Sequence, residues 1–441
     1  MVSVSEPKAS KESGWRRGWV LLGVCVLGGS ILAVAPAAGQ NDEGASWTLS
    51  RLVRYAIDNN KDLAAARLGT DVAAEDVAIA EGQNWPQVDA VSSFQHFPIR
   101  SRLLFERHGK RLSNPFQESI LSYGIQATLP LYTGGRIQRE ISVADAAVAA
   151  SRSRAELTRQ ELIFNVTSTF YTYLRVRAVI AAGEALVRSV KESRRIAAEQ
   201  VRIGRAARLD VLRLDARLSA VESQLTAARN DLDRTAATLT ALLALPTDVP
   251  FKVVGDLTPG ETTWDQEAAQ NTALSKRPDL LALHREVDAQ RERIGIASAR
   301  AGPRLDGSVF YGAATGEDRT GNDAKFLLNF RLPLYAGGIL SARKRRAAAR
   351  LHELEAKLAA AERSAFAEVE RAVIELSSTK ARLEAGARAI TQADEALRVE
   401  SQKFREGRGT SNDLLLAEEA LLRAKTEFAV AVSDNRISIT A

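Results

Sequence analysis

The feature that most constrains this chain is that it is written twice. The segment LPLYTGG at 129–135 recurs as LPLYAGG at 332–338, an offset of 203 residues. Gly204, Arg205 and Asp210 recur at the same offset as Gly407, Arg408 and Asp413. Upstream the offset is 217, with Asp62 and Leu63 matching Asp279 and Leu280, Ile79 and Ala80 matching Ile296 and Ala297, and Pro86 matching Pro303. The difference of 14 residues falls between Pro86 and Leu129, where 96–114 (HFPIRSRLLFERHGKRLSN) reads as a polar, outward-facing loop. One constant offset on each side of a single insertion indicates a tandem duplication, with a period far too long for a solenoid. The domain reading is a leader at 1–38, a first repeat at 39–250, a linker at 251–275 and a second repeat at 276–441.

Within each repeat the long stretch after the Gly-Gly pair contains no proline and is rich in Ala, Arg, Glu and Leu. The composition predicts helices over 135–203 and 338–406, broken at most near Gly183 and Gly386. At 1.5 Å per residue each spans ~100 Å. Leu351, Leu354, Leu358, Ala361 and Ala365 form an apolar stripe at helical spacing, which calls for helix-on-helix packing. Helices this long need equally long neighbours. Short breaks follow, then return helices at 209–243 and 412–438, with Asp210 and Asp413 in their first turns. A carboxylate there suits the unpaired N–H groups and the dipole.

Before each long helix lies a predicted β-hairpin, at 86–132 and 304–335. Leu305, Gly307, Val309 and Tyr311 alternate with Asp306, Ser308 and Phe310, and Phe326, Leu328, Phe330, Leu332 and Leu334 share one face of the next run. The polar segment 315–324 reads as the turn between them. Pro130 and Pro333 fall at strand ends, where a missing N–H is tolerable, and Gly134, Gly135, Gly337 and Gly338 permit a sharp swing into the long helix. Strands apolar on one face fit either an outer-membrane barrel or a hairpin packed on helices.

The N-terminus helps to choose. Lys8, Lys11, Arg16 and Arg17 precede an apolar run at 19–35 and then Pro36, Ala37 and Ala38, the layout of a secretory signal peptide cleaved after Ala37 or Ala38. An uncleaved anchor and a lipoprotein cut before Cys25 are the alternatives. Beyond residue 40 no apolar run approaches the ~20 residues of a membrane helix. An exported chain of this kind can still enter a membrane as strands, and with helices of this length the reading favours the membrane. Four strands cannot enclose a lumen, and open edges are not viable in lipid. Chains must therefore assemble, and three would supply twelve strands.

Composition narrows the chemistry. There are 60 Lys+Arg against 54 Asp+Glu in 441 residues, a net charge of +6, which is not the lopsided balance of a nucleic-acid binder. Four scattered histidines and one cysteine argue against a zinc site, a thiol nucleophile or a disulfide framework. No phosphate loop, nucleophile elbow or paired histidine and carboxylate is present. The expectation is no enzyme, no cofactor and no metal.

The two LPLYxGG junctions, the Pro86 and Pro303 strand entries, the Arg277-Pro278-Asp279-Leu280 segment, the tip turns GRAARLDVL and GRGTSNDLL and the duplication itself together resemble the TolC-like outer-membrane efflux proteins over essentially the whole chain beyond the leader. The resemblance implies a mainly α protomer with a small β part. Its four strands would join a 12-stranded transmembrane barrel, and its long helices a 12-helix periplasmic barrel, in a homotrimer. It implies a passive duct in the outer membrane of a Gram-negative bacterium, in contact with its lipid. The duct would export small molecules or polypeptides with a periplasmic adaptor and an inner-membrane transporter. The family's tip aspartates fall on Asp413 and, in the other repeat, Asp210. A second family aspartate is replaced by Leu416 and Arg213, a tyrosine by Phe404 and a basic residue by Gly409, so a single acidic ring is implied and not the whole lock. Gly204, Arg205, Gly407, Arg408 and Thr410 are the candidate adaptor contacts. A periplasmic coiled-coil adaptor or structural protein is the alternative; it shares the helical hairpins but not the duplicated amphipathic strands.

Overall fold

The computed structural model describes residues 47–96, 106–107, 110–111, 119–246, 253–262, 264–316 and 320–440. The leader lies outside the described residues, as does most of the 96–114 loop. In that loop only the short antiparallel pair β2 (Glu106–Arg107) and β3 (Lys110–Arg111) is described.

Copy one runs α1 (Leu49–Asn59), α2 (Lys61–Gly82), β1 (Gln87–His96), β4 (Ser119–Tyr132), α3 (Arg136–Arg202) and α4 (Arg208–Leu242). Copy two runs α5 (Gln266–Lys276), α6 (Pro278–Ala299), β5 (Arg304–Thr315), β6 (Thr320–Arg331), α7 (Ile339–Arg405) and α8 (Ser411–Thr440). Helices α3 and α7 are each 67 residues long and unbroken. Gly386 does not interrupt α7. A Cβ there would stand 3.1 Å from Cδ2 of Phe428 on α8, so the glycine admits a close helix approach. The segment 251–275, expected as linker, is helical in its second half. Asp265 caps α5 by accepting from the Ala268 N–H at 3.0 Å, and an N-cap of this kind stabilises a helix by ~1 kcal/mol.

In each copy two shorter helices pack along the long one, α2 and α4 on α3, and α6 and α8 on α7. In copy one they meet end to end. Asn60 caps α2 through its Oδ1, which accepts from the Leu63 N–H, and its Nδ2 donates to the Leu242 carbonyl at the end of α4, 3.1 Å away. Helix α3 also packs on α6 and α8, which joins the copies. Buried side chains of Leu52, Leu63, Val166, Phe170 and Leu239 form the core where α1, α2 and α4 meet α3. Arg277, at the start of α6, bonds both oxygens of Asp279 and reaches Glu368 of α7 at 2.6 Å.

The strands form one antiparallel sheet in the order β1-β4-β5-β6. Its central pair, β4 with β5, is the seam between the copies. One face carries Val88, Phe94, Ile125, Tyr311, Phe326, Leu328 and Phe330, all more than half exposed. The other carries Asp89, Gln126, Asp306, Ser308, Lys325 and Asn329. Register differs from expectation at both ends of β6. The polar segment 320–324 belongs to the strand, paired down to Thr315↔Thr320, because the ladder satisfies its backbone and local turn preference is overridden. At the other end β6 stops at Arg331, before Pro333, which has no N–H to offer. Strand β4 continues past Pro130 to Tyr132 by a register shift at that proline.

Gly124 and Gly312 stand opposite each other across the seam. A Cβ on Gly124 would come 2.5 Å from the Tyr311 carbonyl oxygen and 2.9 Å from Phe310 Cζ. The tip of the Phe310 ring thus occupies the space that side chains at both glycines would need. Gly124→Val is expected to destabilise the sheet by ~1–3 kcal/mol through overpacking, read as a lower denaturation midpoint of the detergent-solubilised protein. An unchanged midpoint would contradict this packing.

Candidate functional site

Two regions carry the residues that the sequence singled out. The first is the strand-to-helix junction. Gly134, Gly135, Gly337 and Gly338 all adopt positive φ, at 65°, 77°, 58° and 78°, a region that costs a side chain energy. Gly135 and Gly338 are the N-caps of α3 and α7. The chain therefore turns from sheet to helix over two left-handed residues, preceded by Pro130 within β4 and by Pro333 just beyond β6.

The second region is the far tip of the long helices, where both copies end alike. Gly204 and Gly407 have φ of 75° and 72°. The Arg205 N–H donates to the Gln200 carbonyl at 2.8 Å, and that of Arg408 to Lys403 at 2.9 Å. These close the six-to-one bond that ends a helix at a glycine. The Arg205 side chain is exposed, while Arg408 pairs with Glu406.

The two aspartates occupy equivalent first-turn positions in unlike surroundings. Asp413 is exposed and sits in its own cap: its carboxylate accepts from Thr410 Oγ1 at 2.7 Å, and that oxygen accepts from the Asp413 N–H at 3.1 Å. Asp210 is half-buried and accepts from Ser411 Oγ on α8 at 2.5 Å. That bond ties copy one to copy two. A second tie runs from Gln200 Nε2 to the Phe404 carbonyl at 2.9 Å. Phe404 itself is buried with Leu186, Val190, Leu214 and Leu414 in a core a few turns from the tip.

The third tie is one that sequence reading missed. Glu418 on α8 is 1% exposed. Its Oε1 accepts from Ser189 Oγ at 2.7 Å and from Ser193 Oγ at 3.4 Å, both on α3. Its Oε2 has no hydrogen-bond partner among the described residues, and neither has the buried Nε of Arg217 on α4. Burial pushes the Glu418 carboxyl above its ordinary value of 4.5, against the two serine hydroxyls and the Arg217 charge, which pull it down. A signal was available: Glu418 lies four residues after Leu414 and three before Leu421, on the stripe that a helix turns inward.

The profile of the outer membrane efflux protein family matches residues 52–245 and 269–438. The chain therefore belongs to that family, and its place is the outer membrane of a Gram-negative bacterium. It is 23% identical over 397 residues to the outer membrane efflux protein BepC of Brucella suis biovar 1, covering 88% of this chain and 84% of that one. It is 26% identical over 435 residues to the proteases secretion protein PrtF of Dickeya chrysanthemi, covering 93% and 88%. The fold is that of the Campylobacter jejuni CmeC outer membrane channel, with a TM-score of 0.78 at 19% identity over 89% of this chain and 84% of that one.

The raised Glu418 value has a definite pH sign. A carboxyl harder to ionise when packed contributes most to stability below its unpacked value, and that contribution is lost as pH rises through the packed value. Glu418→Gln keeps the serine bonds without the charge. It is expected to raise the melting temperature at pH 7 by a few degrees and to flatten the rise in stability on acidification. Equal pH profiles for the two proteins would contradict the assignment.

Proposed function

We propose that the chain is one third of a trimeric export duct. Each protomer supplies four strands to a twelve-stranded barrel in the outer membrane and its helices to a tunnel through the periplasm. The observation that carries this reading is the sheet. It bears an uncovered apolar face, and its edge strands β1 and β6 are each paired on one side among the described residues. Apolar side chains outside and polar ones inside suit a barrel wall in lipid, and only closure removes the edges. The long helices below suit a tunnel of matching circumference. No catalytic step is part of the reading. Among the described residues no group of three or more His, Cys, Asp or Glu is placed to hold a metal ion.

The duct opens at the helical tip, in concert with a periplasmic adaptor and an inner-membrane transporter. Gly204, Arg205, Gly407, Arg408 and Thr410 form the docking turn. The exposed Asp413 carboxylates, converged from three protomers, make a cation-binding ring that obstructs anions, with Asp210 nearby. Widening the tip means parting α7 and α8 from α3 and α4. The bonds to Asp210, the Phe404 carbonyl and Glu418 oppose that motion, and docking biases the equilibrium. Likeness to both an efflux protein and a proteases secretion protein supports small molecules or polypeptides as cargo.

Light scattering of the detergent-solubilised protein is expected to give a mass of three chains. In planar bilayers Asp413→Ala should weaken magnesium block on the order of tenfold, the effect of removing like charges that share one ion. A monomer without single-channel steps would overturn the duct; unaltered block would overturn the ring.

A further inference from the structure

We infer that adjacent copies of this chain are held side by side, just below the sheet, by a charged and close-packed seam between α7 of one copy and α2 of the next. This deepens the trimer reading and rests on it. The template for the seam is inside the chain, where the long helix of copy one, α3, packs against the short helix of copy two, α6. Ion pairs cross that contact, Arg139 to Glu292 at 2.8 Å and Arg154 to Glu286. The long helix of copy two is α7, and its equivalent partner is an α2. The chain's own α2 lies against α3, in the copy that leads into β1, whereas α7 follows β6 at the opposite edge of the sheet. If β6 of one copy pairs with β1 of the next, α7 meets the next copy's α2.

The residues on these two faces fit one another. Helix α2 exposes Leu68, Val72 and Ile79, each at least 63% accessible, spaced so that they share one side. On the same side or its flanks lie Glu75 and Asp76, exposed and without an ion pair among the described residues. Helix α7 packs on α6 through Leu354, and Gln290 bonds the Ala347 carbonyl at 2.9 Å. Turning by 100° per residue, its far side presents Ala342, Ala349 and Ala356, all exposed, with Arg345 and Arg346 beside them. Neither arginine has an ion pair among the described residues. Bulky side chains on one helix thus face alanines on the other, with two acids against two bases.

Height agrees as well. The repeat offsets of 203 and 217 carry Arg139 and Glu292 onto Ala342 and Glu75, and Arg154 and Glu286 onto Lys357 and Gly69. Glu75 therefore holds the place of Glu292, at a level within a turn of Arg345 and Arg346. In copy one the places of those two arginines are filled by Ser142 and Val143. The fold of the repeat does not require cations there, and they belong to the one long helix that ends the chain's side of the seam.

The test uses the full chain in detergent, with Cys25→Ser as background. Val72→Cys combined with Ala349→Cys is expected to give an inter-chain disulfide on mild oxidation, absent from either single variant. Arg345→Glu with Arg346→Glu is expected to lower the ratio of trimer to monomer on the order of tenfold. Glu75→Arg with Asp76→Arg should do the same, and all four together should restore it. A stable parental trimer with no cross-link and no rescue overturns the seam and leaves the trimer standing. A parental protein that is monomeric throughout overturns both.

Discussion

An α-helix of 67 residues presents an apolar stripe ~100 Å long, and no compact globule of this size can cover it. The need to bury that stripe along its whole length governs the rest of the molecule. It explains why two shorter helices pack along each long one, and why in copy one a single asparagine, Asn60, both caps α2 and bonds the end of α4. It also explains why the chain has several small cores strung along a column, and why so many arginines and glutamates are paired at exposed positions. Such surface pairs add little stability individually. They keep the outer faces of a long bundle soluble and in register.

The sheet solves a different problem with the same duplication. Two hairpins meet at β4 and β5, and the meeting is close because Gly124 and Gly312 oppose each other under Phe310. What results is an open four-stranded sheet and not a closed body. Among the described residues its apolar side is exposed, and its first and last strands each have one neighbour. Open edges of this kind are not viable in lipid, which is why the duct proposed above needs neighbouring copies to close it.

At the tip the two copies have drifted apart in chemistry while keeping their backbone. Both end in the same glycine-closed turn, yet Asp210 is drawn into a bond with Ser411 while Asp413 stays in water beside Thr410. Glu418 adds a buried carboxylate with one oxygen unmatched. A half-satisfied buried group stabilises less than a fully satisfied one, and here it lies between α3 and α8.

Much of this was legible in the residues. Repeated LPLYxGG segments located both strand-to-helix turns, because only glycine takes two left-handed steps in succession without strain. Proline-free, alanine-rich stretches predicted the long helices to within a residue at each end. Other features depended on the folded neighbourhood. Polar residues 320–324 are strand because β5 pairs with them, the glycine at 386 leaves room beside α7 for Phe428, and the linker expected at 251–275 contains most of helix α5. Glu418 reads as a surface charge until Ser189 and Ser193 of a distant helix are seen against it. Local preference and periodicity act over a few residues and can be read from the chain. Which carboxylate is buried, and which aspartate finds a serine, is set by contacts between segments some 200 residues apart, and only the tertiary structure decides those.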